Sequence, residues 1–318
     1  MPATTVVPGL SQNSTYSQAV ERAVVHKSAV SEVLPTGWRR TGEADFEVWA
    51  QWPRDHGYWR TRDGRQDPML MVETARQILP LLSHAAYGMP HGHQLVWKTF
   101  SFETSAHFLR VTDRPAEITV RIAAAQGPKA GSRFRGAALE MVVEHEGEIV
   151  GTVSTVYTAH PAEIYRRLRG PSASPEEAMS RARAVPLPPA LSPASAGREL
   201  AREVVLSPGL AGSGPWQLRV DTTSPWLFDH PVDHAPGMLL MEAARQGAHA
   251  AALPRETVLT GIDVTFIRYV ELDKPCWIEI AAPVAEGCDT FRVSVSQDGQ
   301  EALSGTVRVA DAPDASAS

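Results

Sequence analysis

Two strongly apolar stretches, one in each half of the chain, carry the same three polar residue types at the same spacing. The stretch in the second half begins at Pro236-Gly237, and its polar residues follow at helical spacings i, i+3 and i+4: Glu242, Arg245 and Gln246. Those spacings place the three side chains on one face of a helix. A helix that is apolar on its other sides is buried, so the pattern predicts a central helix from about Met238 to Leu253.

The first half contains a weaker copy of this pattern, with polar residues at the corresponding positions: Glu73, Arg76 and Gln77. The two glutamates are 169 residues apart (242 − 73), about half of the 318-residue chain. Asp67 is a suitable N-cap with Pro68 at the first helical position. The predicted helix runs from Met69 towards Tyr87, and Pro80 should kink or end its regular part. Repetition at half the chain length predicts two similar halves.

Short runs rich in β-branched and aromatic residues predict strands around both helices. In the first half the predicted strands are Val33-Leu34, Phe46 to Trp52, Gln94 to Phe102, Glu117 to Ala124, Ala137 to His145 and Glu148 to Thr158. In the second half they are Glu203 to Leu206, Trp216 to Val220, Val258 to Phe266, Trp277 to Ala281, Thr290 to Val295 and Ala302 to Val309. Hairpin signals at Glu146-Gly147 and Asp298-Gly299 match between the halves. We predict an α+β fold in which an antiparallel sheet wraps a central helix, twice.

Changes in composition divide the chain into five segments. Residues 1–20 are polar and are expected to be disordered, and residues 21–160 form the first repeat. Residues 161–197 are rich in Pro, Ser, Ala and Arg and are interpreted as a linker with one or two short surface helices. Residues 198–310 form the second repeat, and residues 311–318 are a disordered tail. Edge strands of the two repeats are expected to join into one sheet.

Charge and composition narrow the possible functions. With 43% hydrophobic and 21% charged residues, the chain is typical of a globular protein. A net charge of −6 argues against nucleic-acid binding, although an acidic partner could still dock on a local arginine cluster. No run of about 18 apolar residues is present, so no membrane span is expected. Cys276 and Cys288, without a signal peptide, favour reduced thiols in a cytoplasmic protein.

The start of the second helix has the residues that acyl-group chemistry needs. Gly237 lacks a Cβ, so a carbonyl oxygen could approach the free N–H groups of Gly237 and Met238 as in an oxyanion hole. Burial should raise the pKa of Glu242, which suits a general base. Arg245 could bind phosphate with two hydrogen bonds. An ordinary ion pair between Glu242 and Arg245 is the alternative reading.

Other polar residues in the two motifs leave several readings open. Glu73 and Arg76 could form a second site, complete the first one across a pseudo-twofold axis, or hold their helix in place. His230 and His234, with Asp233, could ligate zinc, but contact with substrate or packing of the loop is the preferred reading. His56, in the matching loop of the first half, is equally open.

The motif also resembles the active-site helix of hotdog-fold enzymes that act on acyl thioesters. In the fatty-acid dehydratases of that fold, a catalytic glutamate lies five residues after the Pro-Gly glycine, and Glu242 matches this spacing. Their histidine lies eight residues before the proline. Phe228 occupies that position here, and His230 lies six residues before Pro236. The mismatch weakens the dehydratase reading.

A closer resemblance is to the AfsA family, the γ-butyrolactone (A-factor type) autoregulator synthases of actinomycetes. Four stretches carry it: VHK…EVLPT at 25–36, AQWPRDHGYW at 50–59, DPMLMVETARQ at 67–77 and FDHPVDHAPGMLLMEAARQ at 228–246. The resemblance implies two fused hotdog repeats. It also implies transfer of a β-ketoacyl group from acyl carrier protein to dihydroxyacetone phosphate, giving a precursor of a butenolide or furan. No cofactor or metal is expected, and the chain is expected to be a monomeric pseudo-dimer or a homodimer.

From these arguments we select candidate site residues. The catalytic candidates are Glu242, Arg245, Gly237 and Glu73. The substrate-binding candidates are Arg76, His230, Met238, Gln246 and His56. A hotdog dehydratase or thioesterase, or a protein that binds an acyl ligand without catalysis, remains the alternative function.

Overall fold

The structure, a computed structural model, describes residues 15–125, 131–209, 215–281 and 289–312, with the side chain of Ser132 left out. Most of the predicted disordered ends, residues 1–14 and 313–318, therefore lies outside the described residues, as does Cys288. Within the described residues the α-helices are α1 (Met69–Leu81), α2 (Ala162–Arg169), α3 (Pro175–Ala184) and α4 (Gly237–Ala252). None of these helices is long and apolar enough to cross a membrane.

The described strands form one antiparallel sheet. The first half contributes β1 (Pro35–Arg40), β2 (Asp45–Trp52), β3 (Gln94–Thr104), β4 (Ala116–Ala125), β5 (Gly136–His145) and β6 (Glu148–His160). The second half contributes β7 (Leu206–Ser207), β8 (Trp216–Leu218), β9 (Thr257–Phe266), β10 (Cys276–Ala281), β11 (Thr290–Gln297) and β12 (Gln300–Asp311). The order across the sheet is β1-β2-β4-β5-β6-β3-β9-β12-β11-β10-β8-β7.

The strand order is the same when it is followed inward from either edge of the sheet, because the six strands of each half are arranged in the same way. The halves meet where β3 pairs with β9, from Thr99 opposite Thr265 to Glu103 opposite Gly261. Each half would otherwise expose an edge strand at this point, and pairing removes both edges. The predicted α+β class, with two fused hotdog repeats in one sheet, is confirmed.

Both central helices are almost entirely buried. In α1 every residue except Arg76 is buried, and in α4 all residues from Met238 to Gln246 except Arg245 are buried. Strands around them alternate between buried and more exposed positions, as β4 shows over its whole length. Each half of the sheet therefore supplies one apolar face to its helix. Arg76 and Arg245 are the residues of these stretches that are not fully buried.

The predicted hairpins are confirmed, and their turns have the same geometry. Glu146 and Gly147 both have positive φ (51° and 85°), and so do Asp298 and Gly299 (53° and 71°). Two successive residues with positive φ define a type I′ turn, which matches the twist of the flanking strands. The same local signal thus closes β5 to β6 and β11 to β12.

Two predicted strands are wrong for the same physical reason. Val33-Leu34 precedes β1, and the predicted strand from Glu203 to Leu206 is a 3₁₀ turn followed by the two-residue β7. The amide of Gln77 accepts a hydrogen bond from Leu34 N and donates one to Glu32 O. Gln246 does the same with Val205 N and Glu203 O. The backbone groups that a strand would pair are therefore bound by the central helices.

The segment interpreted as a linker contains α2 and α3, and α2 is anchored to the second half. The Tyr165 hydroxyl lies 2.8 Å from both carboxylate oxygens of Asp233. Arg169 donates to Asp233 Oδ2 (3.0 Å) and to Glu271 Oε1 (2.7 Å), and its side chain is 5% exposed. Burial alone would raise the pKa of Asp233, but His234, Arg169 and Tyr165 outweigh it and lower the pKa to about 2.

We expect Asp233→Asn to loosen α2 and to lower the free energy of unfolding by about 2 kcal/mol at pH 7. Because the folded pKa is depressed, this stabilisation is present above about pH 4 and is lost as the pH falls towards 2. Urea unfolding should therefore show about half of the difference at pH 3. The control Asp273→Asn removes the more exposed ion pair of α3 with Arg181 and should cost less than about 1 kcal/mol. Equal effects at both pH values would contradict this account.

Candidate functional site

A cavity of about 530 Å³ lies between the two halves of the chain. Its lining combines residues from both halves: Lys27, Glu73 and Arg76 from the first, and Asp229, His230 and the start of α4 with Pro236, Gly237 and Met238 from the second. Its apolar lining includes Leu79, Tyr157, Leu227, Leu240, Phe266 and Val270. We call this space the large cavity. Neither half alone contains a complete lining.

Glu73 is the centre of the cation cluster on one side of the large cavity. Its carboxylate accepts from Arg76 Nε (3.0 Å) and Nη2 (2.9 Å), from Gln77 Nε2 (2.8 Å) and from Lys27 Nζ (2.9 Å). Burial alone would raise the pKa of Glu73, but Arg76 and Lys27 hold it well below its usual range. An ionised carboxylate with this many donors is a poor proton acceptor, so Glu73 is suited to holding the two cations in place.

Arg76 is the member of this cluster that can still bind a ligand. Two of its nitrogens contact Glu73, and its Nη1 has no hydrogen-bond partner recorded among the described residues. Its side chain is 22% exposed, whereas that of Lys27 is 4% exposed. Two cations share one carboxylate at this wall of the cavity. This arrangement suits an anionic group, because a guanidinium can offer it further N–H donors.

An aspartate–histidine pair lines the large cavity next to the cation cluster. His230 Nδ1 is 3.1 Å from Asp229 Oδ2, and the Asp229 carboxylate also accepts from Ser28 N (2.6 Å) and Ala29 N (2.9 Å). A carboxylate only accepts hydrogen bonds, so the His230 proton belongs on Nδ1 and leaves Nε2 as an acceptor. Aspartate orients the imidazole of catalytic triads in the same way.

A pair of histidines, His26 and His84, also adjoins the cation cluster. His26 lines the cavity, and its Nε2 is 2.9 Å from His84 Nε2, while His84 Nδ1 donates to Met89 O (2.8 Å). Burial lowers the pKa of His26 to about 3, with His84 and Arg76 adding to the effect. His26 also has a left-handed backbone (φ 53°). It is therefore a neutral ring, fixed by its neighbours directly before Lys27.

The start of α4 faces the large cavity. The missing Cβ of Gly237, however, makes room for a packed tryptophan, and not for the substrate carbonyl that the sequence suggested. A Cβ on Gly237 would lie 2.4 Å from the Trp97 ring, so this space is filled by tryptophan and is not open to a carbonyl oxygen. No acceptor is recorded in the described chain for the N–H groups of Gly237 or Met238. These groups at the positive end of the helix dipole remain free for a ligand oxygen.

Glu242 and Arg245 do not line the large cavity. They belong to a second cluster beside a cavity of about 100 Å³, which also contains Arg198 and Asp67. Glu242 is 0% exposed and accepts from Arg198 Nε (2.9 Å), while Arg245 Nη2 lies 2.6 Å from its other oxygen. Burial raises the pKa of Glu242 to about 8, with Arg198 acting against the rise and Asp67 adding to it.

Asp67 occupies the place in this small cavity that a ligand anion would take. Arg245 Nη1 donates to both Asp67 oxygens at 2.8 Å, and Arg198 Nη1 is 3.3 Å from Oδ2. The same carboxylate accepts from Met69 N at the start of α1, which confirms it as a helix-capping residue. By the 169-residue offset its counterpart is Pro236 (67 + 169), which has no carboxylate. The two clusters are thus alike, but one contains a built-in anion.

Two substrate-binding candidates have structural contacts instead. Gln246 is fully buried and uses its amide to hold Glu203, Val205 and Glu242. His56 accepts from Tyr58 N (3.1 Å) and Trp59 N (3.0 Å) and contacts Glu32 (3.2 Å). Neither residue lines the large cavity. Of the candidates, that cavity brings together Glu73, Arg76, His230, Gly237 and Met238.

Lys27 and Arg198 were missed by the sequence reasoning. Each supplies the second cation of its cluster, Lys27 to Glu73 and Arg198 to Glu242. A signal for them exists, because the spacing to the glutamate is similar in both halves: 46 residues (73 − 27) and 44 residues (242 − 198). A basic residue at a repeated distance from a repeated glutamate could have identified both.

Comparison with known proteins shows the family of the chain. The model of the AfsA family, described as the A-factor biosynthesis hotdog domain, matches residues 10–161 and 179–310. A Streptomyces virginiae protein named 2-oxo-3-(phosphooxy)propyl 3-oxoalkanoate synthase is 40% identical over 286 residues, 89% of this chain and 94% of that protein. A protein of the same name from Streptomyces coelicolor is 36% identical over 88% of each chain.

Solved structures with a similar fold are more distant in sequence. The 12:0-ACP thioesterase from Umbellularia californica is 12% identical and gives a TM-score of 0.46, covering 86% of this chain and 99% of that one. The dehydratase domain from the CurK module of curacin polyketide synthase is 10% identical with a TM-score of 0.44, over 86% of this chain and 95% of that one.

We expect Asp67→Asn to destabilise the protein by about 3 kcal/mol or more. The side chains of Arg198 and Arg245 are only 7% and 14% exposed, and both would lose the carboxylate that they share. Chemical denaturation at pH 7 measures this loss. The matched control is Asp63→Asn, which lines the same small cavity but is 46% exposed and 3.7 Å from Arg62. Its loss should stay below about 1 kcal/mol. A similar small loss in both variants would show that Asp67 does not hold the cluster.

Proposed function

The chain belongs to the A-factor biosynthesis hotdog family, and we propose that it makes the product its relatives are named for. It is an acyltransferase. It moves a 3-oxoacyl (β-ketoacyl) group from acyl carrier protein to the primary hydroxyl of dihydroxyacetone phosphate. The ester is the precursor of a γ-butyrolactone or furan signalling molecule. The single observation that supports this site assignment is the large cavity, where cations, a histidine–aspartate pair and a helix start converge from two halves.

The reaction follows from the parts of the product. The relatives' name describes a 3-oxoalkanoate esterified to a 2-oxo-3-(phosphooxy)propyl group. Together with the ester oxygen, that group is dihydroxyacetone phosphate without its hydroxyl hydrogen. A C–O bond forms between the hydroxyl oxygen and the acyl carbon, and the C–S bond of the thioester breaks. The hydroxyl proton ends on the thiol that leaves, so no oxidant, reductant or other reactant is needed.

His230 is the proposed general base. Its Nε2 takes the proton of the triose hydroxyl as the oxygen attacks, and the imidazolium later gives this proton to the departing thiolate. Asp229 keeps the ring in the required tautomer and stabilises its charged form. Glu73 is less suited because its oxygens already accept from Arg76, Lys27 and Gln77.

The N–H groups of Gly237 and Met238 are proposed to hold the oxyanion. The thioester carbonyl gains negative charge when the hydroxyl oxygen attacks it, and free helix-start donors stabilise such charge. Trp97 packs against Gly237 and fixes this backbone. The apolar lining around Leu79, Leu240 and Val270 is suited to the acyl chain.

Arg76 is proposed to bind the phosphate, and the buried charge of Lys27 adds to the attraction. Among the described residues, Nη1 of Arg76 has no hydrogen-bond partner, and Glu73 keeps both cations at the cavity wall. This assignment replaces Arg245, which contacts Asp67 in the small cavity. Of the three readings of Glu73 and Arg76, completion of the main site across the pseudo-twofold axis fits this arrangement. We propose one active site per chain, completed without a second copy, and a cytoplasmic location where triose phosphate is produced.

We expect purified protein to form the phosphorylated ester from a 3-oxoacyl thioester and dihydroxyacetone phosphate, as detected by mass spectrometry. His230→Asn should lower kcat by about 10²- to 10⁴-fold and should remove the limb of the pH–rate profile that reports the base. His234→Asn is the matched comparison, because His234 also lines the large cavity and forms the same kind of pair with Asp233, but its Nδ1 is also 3.3 Å from the Tyr165 hydroxyl. Free acid without triose phosphate would indicate a thioesterase, and a larger loss in His234→Asn would refute the assignment of the base.

Arg76→Gln should raise KM for dihydroxyacetone phosphate by about 10- to 100-fold, the effect of one or two hydrogen bonds to a charged group. KM for the thioester should change little. Arg245→Gln is the matched control and should lower stability without raising KM for the triose phosphate, because Asp67 binds this arginine. Initial rates at varied concentrations of each substrate measure both effects. The reverse result would indicate that the phosphate of dihydroxyacetone phosphate binds in the small cavity.

A further inference from the structure

The mouth of the large cavity is surrounded by exposed cations and exposed apolar side chains. The exposed residues of the lining include Lys98 on β3, Leu168 on α2, and Ile267 and Arg268 directly after β9. Leu168 is 63% exposed and Ile267 is 47% exposed. Exposed apolar residues grouped with arginine at a cavity mouth are typical of a protein-binding surface.

Helix α2 extends this surface away from the mouth. Ile164, 47% exposed, lies one turn before Leu168 on the same side of the helix, and Arg167 is exposed beside it. No ion pair is recorded for Lys98, Arg167 or Arg268 within the chain that the structure describes. We call these six residues the mouth surface: Lys98, Ile164, Arg167, Leu168, Ile267 and Arg268.

Both sides of the mouth surface are held rigidly by the fold. Tyr165 and Arg169, on a neighbouring face of α2, are bound to Asp233. On the other side, the N–H groups of Ile267 and Arg268 both donate to Ala302 O, at 2.8 and 3.1 Å. A surface that is already ordered loses little entropy when a partner binds. The anchoring of α2 therefore has a use beyond connecting the two halves.

The local charge at the mouth is opposite to that of the whole chain. The protein carries a net charge of −6, whereas none of the six residues of the mouth surface is acidic. His160, also in the cavity lining, shows the same local field, because burial and then the charges of Lys98 and Arg135 lower its pKa. A partner that presents carboxylates is attracted to this local cluster of cations.

We propose that the mouth surface is the docking site of an acidic acyl carrier protein. Its carboxylates pair with Lys98, Arg167 and Arg268, and its apolar residues cover Leu168, Ile164 and Ile267. The thioester arm then enters the large cavity from the side where these residues line it. This inference rests on the proposed acyl transfer, because it assigns the direction from which the acyl donor arrives.

The test compares two donors that carry the same 3-oxoacyl group, one on holo acyl carrier protein and one on free pantetheine. The variant Arg167→Glu/Arg268→Glu changes one cation on each side of the mouth. It should lower kcat/KM for the carrier-bound donor by about tenfold or more, with an effect that weakens at high salt. It should leave kcat/KM for the pantetheine donor within about twofold. The matched control, Arg114→Glu/Arg292→Glu, changes net charge equally at exposed residues outside the cavity lining and should affect neither donor.

Equal losses with both donors would overturn the docking proposal, since the residues would then shape the cavity. No loss with the carrier donor would also overturn it, and an equal loss with a coenzyme A donor would assign the surface to nucleotide phosphates. Binding of fluorescently labelled acyl carrier protein, measured by anisotropy, needs no turnover. If the wild type binds the carrier and the variant does not, docking stands even if no ester forms, and only the proposed transfer fails.

Discussion

A buried glutamate on each central helix is the constraint on which the rest of the structure depends. A carboxylate cannot be buried in an apolar helix without partners, so each glutamate gathers two cations and a glutamine: Lys27, Arg76 and Gln77 around Glu73, and Arg198, Arg245 and Gln246 around Glu242. The glutamines then bind the backbone that precedes the first strands of each half. The need to partner each buried glutamate thus fixes the helix, the segment before the first strand and the cations beside each cavity.

The two halves became different through the residues that reach each cluster from the opposite half. Asp67, at the start of α1, crosses to Arg198 and Arg245 and fills the small cavity with a carboxylate of the protein. Asp229, in the loop before α4, binds the backbone of Ser28 and Ala29, and within the described part of the chain Nη1 of Arg76 keeps no hydrogen-bond partner. The same architecture therefore yields a closed ionic cluster beside a cavity of about 100 Å³ and an open cluster beside a cavity of about 530 Å³. Under the proposed function, one cluster serves the reaction and the other stabilises the fold.

The segment between the halves both packs against the second half and contributes to the mouth of the large cavity. Arg169 is nearly buried between Asp233 and Glu271. These contacts fix α2 against the loop that contains His230 and leads to the start of α4. The same helix presents Leu168 at the mouth of the large cavity. The composition of this segment suggested a connection with one or two short surface helices, because a Pro- and Ser-rich stretch carries little periodic signal. Its buried contacts come from single residues that sequence periodicity does not detect.

The sequence by itself determined the family, the two central helices, most strands and both hairpins. These features depend on local rules: helical or strand periodicity, the turn residues at Gly147 and Gly299, and a triplet repeated after 169 residues. Only the tertiary structure decided which glutamate faces the large cavity. Glu242 has the better motif, yet the Pro-Gly start of its own helix faces the cluster of Glu73. The reason is geometric, since residues 237 and 242 lie on different sides of α4 and the pseudo-twofold arrangement brings the other half to the helix start. Contacts between residues about 200 positions apart, such as Ser28 with Asp229, carry no local pattern.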